Sequence, residues 1–420
     1  MQFLKGEGRV VPVLAVFILG LNMFAVGHAS AQTETVLHNF SHAPDGRIPQ
    51  RSGLLHGGSS FYGVTVFGGS SDYGTVFQLT KDSSGTWSES VIYSFASGAD
   101  GAYPVGGLIA DSTGNLYGAT TAGGSANDGV IFELSNSGGT WQETILHAFS
   151  GPDGTDPQGP LVFDKSGNLF GETLVGGGSG GGTVFELSPS NGAWTETILH
   201  SFGQGTDGYI PSPGLVFDGA GNLYGTTTAG GTSSCIGLGC GIVFQLTPSN
   251  GGWTENILFD FHGTPDGFYP NAPLLIDSGG TLYGSTAYGG GLGSCSQSTS
   301  AVGCGTVYEL SPMSGGTWTA KTLHRFAGGA AGGEPDSPLV FDRAGNLVGE
   351  AAQTGVNDGM IFRLAKSSSG SWGLKILFTF NGADGARPQG GLFVGADGTL
   401  YGTTIYGGAN NVGVAFAFKP

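Results

Sequence analysis

The sequence predicts an all-β protein: a seven-bladed β-propeller with four antiparallel strands per blade, closed by its own N-terminal strand. Three observations carry that prediction. Four landmarks recur seven times each, the repeat interval from Tyr62 to Tyr401 averages about 56 residues, and short apolar runs alternate with glycine turns without helical periodicity. Glycine supplies 83 of the 420 residues, yet no Gly-X-Y register runs through the chain, which excludes collagen. With 27 Phe, 13 Tyr and 6 Trp and only 11% charged residues, the composition is also unlike that of a disordered chain.

The first 31 residues read as an export signal. Lys5 and Arg9 precede an apolar run from Val10 to Val26, and Ala29-Ser30-Ala31 supplies the small residues of a cleavage site. Pro12 and Asn22 interrupt the run, which suits a removed signal better than a membrane anchor. The mature chain, Gln32 to Pro420, is then one domain of 389 residues with 12 basic and 30 acidic side chains, a formal charge of −18. That balance opposes nucleic acid, whose phosphates demand basic patches, and anionic membrane surfaces alike. No later run can span a bilayer and no C-terminal anchor is seen, so the expected destination is the exterior or the periplasm, as a monomer.

The landmarks come in a fixed order. An aromatic-Gly or Val-Gly pair stands at Tyr62, Tyr117, Phe170, Tyr224, Tyr283, Val348 and Tyr401. A Gly-x-[Val/Ile/Ala]-[Phe/Tyr] run begins at Gly74, Gly129, Gly182, Gly241, Gly305, Gly359 and Gly413. An apolar-x-x-Phe segment ends at Phe40, Phe95, Phe149, Phe202, Phe261, Phe326 and Phe380. Asp-Gly-x-x-Pro turns start at Asp45, Asp100, Asp153, Asp207, Asp266 and Asp384, and the remaining copy reads Ala331-Gly-Gly-Glu-Pro335. One unit thus offers an apolar run at Leu108, a turn at Asp111-Ser-Thr-Gly114, and strands at Asn115 to Thr120, Val130 to Leu134 and Trp141 to Phe149. Four strands per unit, seven times over, is the arithmetic of a propeller.

Ring closure is also legible. Gln32 to Phe40 aligns with the fourth strand, Trp141 to Phe149, whereas the last unit stops after its third strand at Phe418. The N-terminal segment therefore completes the last blade and removes two exposed sheet edges. Spacing from each landmark glycine to the next pair holds at 41–43 residues; across the loop between second and third strands it runs 12, 12, 12, 17, 22, 11 and 12. The two long copies hold all four cysteines. In an exported protein this predicts two local disulfides, Cys235 to Cys240 and Cys295 to Cys304, with a four-cysteine zinc site as the competing arrangement.

The composite unit closely resembles the bacterial GloVer (Gloeo-Verruco) tandem repeat. It joins Asp-Gly-x-x-Pro, Gly-Leu-x-x-Asp-x-x-Gly-Asn-Leu-Tyr-Gly-Thr-Thr, Gly-Thr-Val-Phe-x-Leu and Trp-x-Glu-x-x-Leu-His-x-Phe over residues 34 to 420. The resemblance implies export and a propeller-like repeat architecture. It supplies no reaction, substrate or catalytic residues.

Residues present in every blade are explained by blade construction, which removes most titratable groups from candidacy. The Asp-Gly turns are self-sufficient, since Asp caps its own turn and Gly accepts positive φ. They nevertheless share one rim with the variable loops and with aromatics. Asp45, Asp100, Asp153, Asp207, Asp266 and Asp384, with Tyr103, Tyr209, Phe268 and Tyr269, are therefore the candidate binding set. Sugar C–H faces stack on rings while carboxylates accept hydroxyl hydrogen bonds. The expected role is non-catalytic binding of carbohydrate or of a cell-envelope partner, with no cofactor beyond a weak case for calcium. The alternative is a polysaccharide lyase or glycoside hydrolase. Its candidate acids are Glu172 and Glu350, which break the repeat where other copies have Val64, Ala119, Thr226, Ser285 and Thr403. No phosphate-binding, metalloprotease or nucleophile-elbow motif occurs, and the spacing of His42, His56 and His262 suggests no metal.

Overall fold

In the computed structural model, residues 32–203, 206–235, 237–293, 295, 303–353 and 358–420 are described, and they form seven antiparallel blades of four strands, the innermost strand being broken in two in blades two and seven and continued by a separate two-stranded pair in blade one. The expected signal segment, residues 1–31, lies outside the described residues. Blade three shows the plan: Thr155–Phe163, Leu169–Val175, Thr183–Ser190 and Ala193–Ser201 pair in that order from the channel outward. The second strand is buried on both faces at its start because neighbouring blades sandwich it. The fourth alternates buried and exposed positions, as an outer strand must. Asp164 builds the hairpin between the first two strands: its carboxylate accepts from the backbone N–H groups of Ser166 and Asn168 and from the Asn168 side chain.

Two landmarks meet at every blade junction. Phe149, at the end of the fourth strand of blade two, packs edge-on against Phe185 of blade three with ring centroids 5.2 Å apart, and both are fully buried. The same contact joins Phe40 to Phe77 and Phe380 to Phe416. The landmark glycines touch the next blade's proline. A Cβ on Gly182, whose φ is 97°, would stand 2.5 Å from Pro211 Cδ and 2.3 Å from the Thr173 carbonyl oxygen. Only a residue without a side chain fits there. Gly182→Ala should destabilise the domain by more than about 2 kcal/mol, from overpacking and positive φ together. An unchanged thermal midpoint would show that this junction is not tightly packed.

The ring closes as the sequence predicts. Thr33–Asn39 lies antiparallel to Val414–Lys419, Thr33 opposite Lys419 and Asn39 opposite Val414, as the outer strand of blade seven. Further bonds cross the seam: Ile48 N–H donates to Val412 O at 2.8 Å and the Thr403 hydroxyl to Ser52 O at 2.8 Å.

First strands are the irregular ones. In blade three Gln158 faces Glu172 and Val162 faces Phe170, so three residues, 159–161, stand against the single Gly171 and the surplus bulges out of the ladder. In blade seven the break is complete, giving Ala386–Pro388 and Phe393–Val394. These bulges follow the repeated proline and place its neighbours around the central axis.

Candidate functional site

At the channel mouth, the residue before the repeated proline has positive φ in all seven blades. Ile48, Tyr103, Asp156, Ile210, Tyr269, Glu334 and Arg387 lie between 54° and 63°. For a residue with a side chain this conformation costs roughly 1–2 kcal/mol. What holds it is a hydrogen bond to the preceding blade: Tyr269 N–H donates to Cys240 O at 3.1 Å, Glu334 N–H to Cys304 O at 2.9 Å, and Arg387 N–H to Asp358 O at 2.6 Å. The conformation belongs to the repeat, but the side chain differs from blade to blade. The residue after the proline also varies: Gln50, Val105, Gln158, Ser212, Asn271, Asp336 and Gln389. Fold construction does not explain two concentric rings of unlike residues.

Deeper in, a polar network spans the channel from blade one to blades five, six and seven. Arg51 donates to the Asn271 side-chain oxygen at 3.2 Å and stands 3.5 Å from the Asp336 carboxylate. Asn271 and Gln389 donate to the two Asp336 oxygens, each at 2.9 Å. Burial raises the Asp336 carboxyl, against the opposing pull of Arg51 and Asn271. On one side lies a cavity of about 260 Å³ walled by Leu54, Leu108, Pro160, Pro273, Pro338 and Phe393. On the mouth side is a smaller one of about 140 Å³, walled in part by Gln50, Gln158, Ile210, Tyr269 and Asn271.

Charge at the mouth concentrates over blades five to seven. Glu334 is 5% exposed, and burial pushes its carboxyl up to about 7 despite the nearby Arg387 guanidinium. Burial and the carboxylates of Glu334 and Asp336 push the Tyr288 phenol up to about 12. Tyr269 and Tyr288 rings lie 5.9 Å apart. A desolvated carboxyl near neutrality, two tyrosines and the Arg387 guanidinium make this sector able to stack a ring, donate and accept hydrogen bonds, and offset a negative charge.

The family model of the Gloeobacter/Verrucomicrobia repeat matches residues 23–238 and again 216–416. The chain belongs to the Gloeobacter/Verrucomicrobia repeat family. No curated protein matches the sequence. Among solved structures, this repeat protein is similar to a candidate 6-phosphogluconolactonase from Bacteroides uniformis, at 15% identity and TM-score 0.50, over 81% of this chain and 88% of that one. It is similar to the PL25 ulvan lyase bound to -[GlcA(1-4)Rha3S]-, at 9% identity and TM-score 0.52, over 90% of each chain. It also resembles the extracellular domain of a candidate one-component system from B. thetaiotaomicron, at 12% identity and TM-score 0.52, spanning 91% of this chain and 40% of that one. At these identities the likenesses show the fold.

Within this family member, the candidate acids of the Asp-Gly turns do not meet at the channel. Each sits at its own blade junction, engaged by its turn or by the preceding fourth strand. His38, His147 and His200 lie 3.1, 3.0 and 3.2 Å from Asp45, Asp153 and Asp207. The Tyr93 hydroxyl donates to Asp100, His262 lies 3.4 Å from Asp266, and Asn381 donates to Asp384 at 2.7 Å. Of the aromatics, Tyr103 and Tyr269 fall on the mouth ring. Tyr103 packs on Phe67 and Tyr73, at 5.4 and 5.6 Å. Tyr209 lies farther out beside Asp207 and Thr232, and Phe268 is buried against Tyr288. Both disulfides form as paired in the sequence, Cys235 with Cys240 and Cys295 with Cys304. Cys240 and Cys304 are also the residues whose carbonyls hold Tyr269 and Glu334 in place.

Glu172 and Glu350 are 1% and 0% exposed and serve different junctions. Each accepts a backbone N–H at 2.9 Å, from Gly214 and Gly391 respectively, and neither reaches solvent. Burial raises both carboxyls, Glu172 well above the ordinary value and Glu350 up to about 8. They are positioned as buried blade-junction acceptors and serve separate junctions. Sequence reasoning passed over Arg51, Asn271, Asp336, Glu334 and Arg387. The usable signal was the variability on either side of an invariant proline.

Proposed function

We propose that this propeller is an exported, non-catalytic binding module that takes a carbohydrate chain across the mouth of its channel. One observation carries the reading: the side chains that differ between blades are gathered at that mouth, on a backbone that repeats sevenfold. Tyr103, Tyr269 and Tyr288 offer stacking faces, Glu334 and Asp156 accept from hydroxyls, and Arg387 and Arg51 suit a sugar carboxylate or sulfate. A lyase of the same fold bound to a uronate-containing polysaccharide supports this choice of ligand class. The Asp-Gly acids contribute indirectly, by setting the turns from which the mouth residues project.

Export rests on the expected signal at residues 1–31 and on two disulfides, the chemistry of an oxidising compartment. No helix among the described residues is long and apolar enough to cross a membrane. The test is a glycan array with the mature chain, followed by titration. Tyr269→Ala should weaken binding at least about tenfold, a loss of ~1.4 kcal/mol, with the thermal midpoint little changed. Absence of any glycan bound by the folded wild type ends the carbohydrate reading.

A lyase or hydrolase is the second reading, favoured by Glu334, whose carboxyl near 7 is tuned as a general acid or base would be. Release of unsaturated or reducing ends that Glu334→Gln abolishes would establish it in place of simple binding.

A further inference from the structure

We propose that two blade junctions, one formed by His38, Asp45 and Glu89 and the other by His200, Asp207 and Glu255, are binding sites for a first-row divalent cation of the zinc type. In each, one donor atom from each residue lies within 4.8 Å of the other two. Three separate segments supply them: the fourth strand of one blade, the following turn, and the fourth strand of the next blade.

The histidine edges of these triangles are close to those around a small cation. His38 Nε2 is 3.1 Å from Asp45 Oδ2, His200 Nε2 is 3.2 Å from Asp207 Oδ1, and His200 Nε2 is 3.8 Å from Glu255 Oε2. Tetrahedral zinc with bonds of about 2.0–2.1 Å needs ligand atoms roughly 3.3–3.4 Å apart. Glu89 and Glu255 each keep a buried Oε1 with no hydrogen-bond partner, a feature they share with the equivalent Glu34, Glu143 and Glu196, and only at these two junctions do a histidine nitrogen and two carboxylate oxygens close to within 4.8 Å among the described residues. Asp207 and Glu255 remain 16% exposed and His200 22%, which leaves a position open to water. Imidazole with two carboxylates suits zinc and its neighbours; calcium prefers six to eight oxygens.

Blade construction does not require these residues. At the junction of blades four and five the equivalents of His200 and Glu255 are Phe259 and Ala320, and at that of blades six and seven Phe378 replaces the histidine. Phe259 packs edge-on against Phe261 as His200 does against Phe202. Substitution by Phe is therefore a replacement that the fold already uses.

The experiment is calorimetric titration of the mature chain with zinc chloride alone, alongside thermal unfolding. Wild type should take up two equivalents that the double variant His38→Phe, His200→Phe lacks, and each single variant should lose one. Zinc should also raise the wild-type midpoint, since the ligands come together only in the folded ring. Glu255→Gln, which keeps shape and hydrogen bonding, should weaken the second site at least tenfold. Equal zinc uptake by wild type and by a double variant with a native circular dichroism spectrum overturns the proposal. So does uptake of calcium with equal affinity at the same sites.

Discussion

Removing residues 32–40 is expected to abolish cooperative folding of the domain at temperatures where the mature chain is native. The segment contributes more than an edge strand. It forms the whole outer strand of blade seven against Val414–Lys419, and Phe40 is fully buried between blades, 5.0 Å from Phe77. Phe40 N–H donates to Gly413 O at 3.1 Å, Asn39 accepts from Ala409 N–H at 2.8 Å, and Asn410 donates back to Phe40 O at 2.9 Å. Losing Phe40 alone by Phe40→Ala should cost about 3–5 kcal/mol. Set against a typical total of about 5–15 kcal/mol, loss of the strand and its seam leaves little stability. Differential scanning calorimetry of the truncated chain decides the matter: an unshifted transition would mean that the seam does not hold the ring.

Glu350→Gln should flatten the fall of stability with rising pH, and the sign follows from the carboxyl's direction of shift. Its folded value stands at about 8 against an ordinary 4.5, because burial penalises the charge more than Gly391 and Ser337 relieve it. Between those two values the folded chain holds a proton that the unfolded chain releases. Stability from this group is complete below about 4.5 and declines at about 1.4 kcal/mol per pH unit until the folded group itself ionises. A glutamine keeps the acceptor for Gly391 and cannot ionise, so the variant should be the more stable chain at pH 7 to 8 and nearly equal at pH 4.5. Glu172→Gln should behave alike, since burial raises that carboxyl too. Thermal midpoints measured across pH 4.5–8.5 test this; parallel curves for variant and wild type would show that the carboxylate is accommodated charged.

The repeat period announced the blades, and the glycine, phenylalanine and proline landmarks turned out to be the contacts between them. Gly182 against Pro211 and Phe149 against Phe185 are both junction pairs, so the recurring residues record the ring's internal symmetry. The local disulfides were legible for the same reason: each pair lies within one enlarged loop. The channel network was not legible. Arg51 and Asp336 are separated by most of the chain, and nothing local in either segment says that they point at one axis.

Order along the chain by itself determined the fold class, the blade number, the closure and the cysteine pairing, because each shows in the order and spacing of landmarks within the repeat, the closure as a fourth strand displaced from the last unit to the start. Which side chains share a site was decided only when the ring closed. Closing it brings seven first strands around a common axis, so positions hundreds of residues apart become neighbours there, while acids that look alike in every copy are carried apart to separate junctions.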